Sequence, residues 1–137
     1  MKIANKISSI LCDDVRHEVG NKTSLMGIYD KDIIFSNLPA LLPKLCLFVR
    51  LEEVGTNFQE CKVTLKTPEM DPIHLNIKIA ETHTGENVSL FAIFSPFRAK
   101  CAGQAQFEVR FDDRKRPSHV YKFKIAKVSD KKNSKKS

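Results

Sequence analysis

The residues best suited to chemistry lie close together: Cys12, Asp13, Asp14, His17 and Glu18, all within twenty residues of the start. Carboxylates and an imidazole at such separations can hold a divalent cation or exchange a proton. Their spacing works against that use. On an extended strand successive side chains point to opposite faces, so Asp13 and Asp14 diverge, and His17 falls on the side of Asp13. A structural role is better motivated. Asp and Arg side chains at a strand break satisfy backbone groups, and an Asp14–Arg16 or Glu18–Lys22 pair locks a hairpin. A metal-binding or enzymatic site at Asp13, Asp14 and His17 therefore ranks below two binding roles developed below.

No other group has catalytic spacing. His74, His83 and His119 are expected on polar faces or in turns, with no Cys or His partner at ligand spacing. Five glycines are scattered singly, so no phosphate-cradling loop is spelled out. Gly-x-Ser-x-Gly and His-Glu-x-x-His patterns are absent as well. The four cysteines, Cys12, Cys46, Cys61 and Cys101, form no Cys-x-x-Cys pair and read as buried free thiols. Neither enzymatic activity nor a cofactor is expected.

The elements that must position these residues are strands. Alternation of apolar and polar residues dominates, and helical spacing is almost absent. Ile7–Leu11 reads as a first strand. Val15–Val19 and Lys22–Tyr29 read as the arms of a hairpin, with Gly20 and Asn21 supplying its turn. Ile33–Phe35 is a short apolar run. Leu45–Leu51 is apolar on both faces, as a central strand would be. Cys61, Val63 and Leu65 alternate with lysines and a threonine, and Ile73–Ile79 does the same across a turn at Pro68–Pro72. Val88–Phe94 is a further strand. Ala105, Phe107, Val109 and Phe111 pair with Tyr121, Phe123 and Ile125 in a last hairpin, expected at the C-terminal edge. The segment Asn37–Lys44 carries Pro39 and Pro43 and reads as a connection with room for one helical turn.

The pattern predicts one all-β domain over residues 1–128: an antiparallel β-sandwich of eight or nine strands, immunoglobulin-like or C2-like. A chain of 137 residues is long enough to fold on its own core. No apolar run approaches the ~18 residues of a membrane span. The first residues lack a signal-peptide core, so a cytoplasmic protein is expected. The net charge is +7, and the last eleven residues hold five lysines against one aspartate. Residues 129–137 therefore read as a disordered lysine-rich tail, and the high pI as a property of that tail more than of a basic face on the domain.

Two surfaces remain. The first is the apolar connection with Leu38, Leu41 and Leu42, joined by Phe97, which either plugs the sandwich or contacts a protein partner. The second is the cluster Arg114, Lys115, Arg116, Lys122 and Lys124, which with the tail could attract nucleic acid weakly and in a salt-sensitive way. Asp112 and Asp113 sit in the same turn, and the nearby aromatics are better assigned to the core.

The run Asp13–Glu18, the strand Lys22–Tyr29 and the proline-bracketed step Pro39–Leu51 resemble an uncharacterised family of small bacterial all-β proteins. Its members open with an Asp-Asp-(Val/Ile)-Arg-x-Glu hairpin and a Lys-x-Ser-Leu-x-Gly-(Ile/Val)-(Tyr/Phe) strand. The resemblance implies a bacterial or phage origin and an uncharacterised domain, with no catalytic residues. The expected function is a non-enzymatic protein-binding or adaptor module, self-association included. The alternative is a nucleic-acid-associated accessory protein.

Overall fold

A computed structural model describes residues 2–20, 22–79 and 84–128. Among them eleven strands follow one another: β1 (Ala4–Glu18), β2 (Lys22–Tyr29), β3 (Ile33–Phe35), β4 (Ala40–Leu42), β5 (Leu45–Val54), β6 (Glu60–Lys66), β7 (Ile73–Lys78), β8 (Val88–Phe94), β9 (Phe97–Ala99), β10 (Gly103–Phe111) and β11 (His119–Lys127). A four-stranded sheet has the order β2-β1-β5-β8. A five-stranded sheet has the order β3-β11-β10-β6-β7, and β4 pairs with β9 in a small third sheet.

The two large sheets enclose one core. Leu11, Leu47, Val49 and Leu90 enter it from the first; Val63, Phe107, Val109, Phe123 and Ile125 enter from the second. Phe94 meets Phe107 across the gap at 5.6 Å between ring centres. Each such ring stabilises the fold by roughly 1.5–3 kcal/mol through the apolar surface it removes from water. Period-two alternation is what aligns these side chains: in β10, Ala105, Phe107, Val109 and Phe111 are all buried. The all-β sandwich is as the alternation predicts.

Four details differ from the sequence reading. There are eleven strands among the described residues, because three three-residue strands are too short to show a period. The acidic pair Asp13–Asp14 does not break a strand; β1 runs through it, pairing with β5 over Ala4–Cys12 and with β2 over Leu11–Glu18. The segment between Pro39 and Pro43 is not a helical turn but β4, whose Ala40, Leu41 and Leu42 face Ala99, Arg98 and Phe97 of β9. The last hairpin is not the edge, because β3 lies parallel against β11 and covers it. Gly20 has the positive φ of +88° that the hairpin turn demands. Asn21, His83 and the lysine-rich tail 129–137 lie outside the described residues.

Candidate functional site

The acidic hairpin is tied up internally. Asp13 accepts a hydrogen bond from the Tyr29 hydroxyl on the neighbouring strand. Between them lies Gly27, at φ +68°. A Cβ there would come within 2.9 Å of Asp13 Cγ and closer still to its oxygen, so only glycine leaves room for this carboxylate. Burial, and then the Asp13 carboxylate, push the Tyr29 phenol above its ordinary pKa. Asp14 points elsewhere: its Oδ1 accepts from Lys44 Nζ at 3.1 Å and from Val15 N at 2.9 Å. Those two hydrogen bonds hold its carboxyl below the usual carboxylate range. His17 takes a third direction, its ring edge-on to Phe91 at 5.0 Å.

The divergence of Asp13 and Asp14 expected from strand geometry is seen here, and Asp13, Asp14 and His17 each meet a different partner. Among the described residues no three of His, Cys, Asp and Glu converge in a way that could hold a metal ion. The expected Asp14–Arg16 lock is also replaced, by a pair that reaches Lys44 across the start of β5.

The leucine-bearing connection is mostly a plug. Phe97 is 1% exposed and belongs to the core, which corrects its reading as a surface residue. Leu38 and Leu42 are half-buried against the same core, and Leu41 alone of the four points outward, 56% exposed. His119 is likewise not a solvated turn residue. It is half-buried, within 2.7 Å of Ser9 Oγ across the two sheets, and burial lowers its pKa.

The outer face of the four-stranded sheet has an apolar character that sequence reasoning did not pick out. The register places Ile28, Cys12, Cys46 and Ile93 in one row across all four strands. The adjacent row holds Ile10, Phe48 and Phe91. Cys12 and Cys46 are buried within this face, while Ile28 and Ile93 remain 52% and 44% exposed. Burial pushes the Cys12 thiol up to about 11 and raises that of Cys46, so neither is a ready nucleophile. His17, near the hairpin tip, touches Phe91 on the outward side of β8. At its far edge β8 reads Val-Ser-Leu-Phe-Ala-Ile-Phe, seven residues without a charge.

The outer face of the five-stranded sheet is the opposite in character. Lys122, Gln106 and Lys66 form one row across β11, β10 and β6; Arg110, Lys62 and Asn76 form another across β10, β6 and β7. Lys124 and Lys78 extend them. At the centre, Glu108 is buried despite its charge. Its Oε2 takes Lys66 Nζ at 2.9 Å and Gln106 Nε2 at 2.5 Å, and Oε1 has an ion-pair contact with Arg110 Nη1 at 2.8 Å. The Lys66 hydrogen bond, followed by those of Arg110 and Gln106, outweighs burial and keeps the carboxyl below its ordinary pKa. Thr64, in the same row, is buried with its hydroxyl 2.8 Å from His74 Nδ1.

Of the expected basic cluster, Lys122 and Lys124 lie on this face. Arg114, Lys115 and Arg116 belong to the turn after β10, where Asp112 accepts from the backbone of Gln59 and Glu60 and Arg110 Nε donates to the Lys115 carbonyl. The reading that the domain lacks a basic face is corrected. The signal was present in the polar positions of β6, β7, β10 and β11, which are rich in lysine.

Among the described residues no helix is long and apolar enough to cross a membrane. No curated protein matches the chain. A family model does match it over residues 7–126, from near the start of β1 to nearly the end of β11. The chain therefore belongs to DUF6941, a family of unknown function.

Proposed function

We propose that this protein is a binding module, not an enzyme, and that it docks protein through the β8 edge and the apolar outer face beside it, with a second copy of itself as the partner. One observation carries the reading: an uncharged seven-residue strand stands at a sheet edge, and on its outward side Ile93 is exposed and Phe91 half-buried. Edge strands that must stay single are usually blunted by charge or proline. Here neither is present within β8.

The sequence of β8 suits self-pairing. An antiparallel pair of identical strands has its twofold axis perpendicular to the sheet, so outward residues stay outward. Centred on Phe91, such a pair sets Leu90 opposite Ala92 and Ser89 opposite Ile93 of the copy, with no like charges meeting. The interface would join two apolar outer faces into one. An adaptor role in a bacterial or phage cytoplasm is the wider setting of this reading, supported by the four free thiols and by the motif resemblance.

Light scattering on the eluting full-length chain tests it. The expected result is a dimer that Ile93→Lys converts to a monomer with an unchanged circular-dichroism spectrum. Ile34→Lys, an equally exposed isoleucine on the other sheet, should leave the dimer intact. A wild-type chain that is monomeric at ~100 μM, where association as weak as about −5.5 kcal/mol is visible, overturns the reading.

A further inference from the structure

The outer face of the five-stranded sheet carries Lys62, Lys66, Lys78, Arg110, Lys122 and Lys124, drawn from four strands. The acids of this surface lie at its centre and at one end, where Asp112 and Asp113 stand beside Lys62 and Arg110. Glu108 is neutralised by Lys66 and Arg110, and Glu60 stands opposite Lys78 at the rim. Among the described residues, Lys62, Lys122 and Lys124 have no carboxylate within ion-pair distance. Toward the Lys122–Lys124 end of the face the cations therefore outnumber the acids. Cations two residues apart on a strand are ~6.8 Å apart, and those on adjacent strands ~4.8 Å. Between Lys66 and Lys122 runs a groove of about 550 Å³, floored by Gln104 and Gln106 and walled by Thr67 and Pro68.

Glu108 gives this surface its order. A buried carboxylate bonded to Lys66, Arg110 and Gln106 fixes three long side chains that would otherwise lose conformational freedom on binding. A merely solvated lysine face does not require such an anchor.

We propose that this face binds the phosphate backbone of duplex nucleic acid without reading sequence. Charge complementarity selects a dense polyanion, and a duplex carries one charge per ~1.7 Å of its axis. Single strands are disfavoured by what the face lacks. Bases of single strands are held by stacking on aromatic rings, and among the described residues the aromatics of β10 and β11 point into the core. Among the described residues the ring on the outer face is that of His74, which is hydrogen-bonded to Thr64. The site is distinct from the lysine-rich tail and from the apolar face, and it stands or falls independently of the dimer.

The test is fluorescence anisotropy with the full-length chain and a labelled duplex of ~20 bp, over salt from ~50 to ~200 mM. Three phosphate contacts, from Lys62, Lys122 and Lys124, give a log–log slope of about −2.7 and about a 40-fold loss of affinity across that range. The double variant Lys122→Glu/Lys124→Glu should bind more weakly at low salt, with the slope reduced to about −0.9. Lys22→Glu/Lys31→Glu changes net charge equally but lies off this face, so it should keep the wild-type slope. Each variant keeps the same tail, so tail binding cannot produce the difference. Absence of duplex binding at ~50 mM salt overturns the proposal. So does an equal loss in both double variants, which would make the attraction one of net charge alone. Displacement of duplex by poly-glutamate at equal charge concentration would assign the face to acidic peptides and likewise overturn it.

Discussion

Among the described residues Glu108 is the one carboxylate that the fold takes almost wholly out of water, and its energetics depend on its three partners. An ionised carboxylate is costly to bury unless it is paired and hydrogen-bonded. Here the compensation exceeds the cost, because the folded pKa lies below the ordinary 4.5. The sign of the pH dependence follows. A group with a depressed folded pKa contributes stability that is complete above about 4.5 and disappears as pH falls through the folded pKa, where both states hold the proton. Glu108→Gln should therefore lower stability near neutral pH by about 1–3 kcal/mol, the lower part of that range being favoured because Lys66 is half exposed to water. The difference should close as the solution is acidified below the carboxylate range. Urea midpoints at neutral and acid pH measure both. A Gln variant as stable as wild type at neutral pH would mean that the carboxylate is no anchor.

At the scale of elements, the proline-bracketed connection and β9 form a lid on the sandwich, and their side chains divide sharply. Phe97 fills the core, while Leu41, one register position away across the β4–β9 pair, faces water. Phe97→Ala should cost about 3–5 kcal/mol through lost burial and a cavity. Leu41→Asp should shift stability by less than about 0.5 kcal/mol, as exposed substitutions do. Thermal melts of the two variants separate these outcomes, and comparable losses would mean that Leu41 is also packed. The same elements show what the sequence makes legible. Strands of six residues or more, β5 to β8, β10 and β11, were readable because alternation needs several repeats to register. β4 and β9 were not, since three residues spell no period and the prolines suggest a loop. β1 was misread for another reason. Its acidic pair resembles a break, and only the fold reveals that Tyr29 and Lys44 take up the two carboxylates. The glycine that makes this possible, Gly27, is a plain residue within a strand until Asp13 is placed against it.

At the scale of the molecule, the two outer faces carry contrasting chemistry, apolar on one sheet and cationic on the other. The apolar face was not legible along the chain, and the basic one only in part, through Lys122 and Lys124. The cations of the basic face are spread from Lys62 to Lys124 and alternate with core residues, so no single run along the chain holds them all. A register that assigns them all to one side is needed to see the sum. The arrangement has a consequence when the two proposals are combined. A twofold axis perpendicular to the joined sheet leaves both basic faces on the same side of the dimer. A duplex long enough to span both would then gain from the second contact as an intramolecular event, which can raise affinity by about 10²–10⁴-fold over a single contact. A duplex of ~15 bp should gain nothing, and one of ~40 bp should gain most, because only the longer one reaches across the axis. In Ile93→Lys the length dependence should vanish while the affinity for the short duplex is kept, since the substituted residue lies on the opposite sheet. Anisotropy titrations of both duplexes at one salt concentration give the comparison. Equal length dependence in the wild type and the variant would show that the basic faces act singly, whatever the state of the β8 edge.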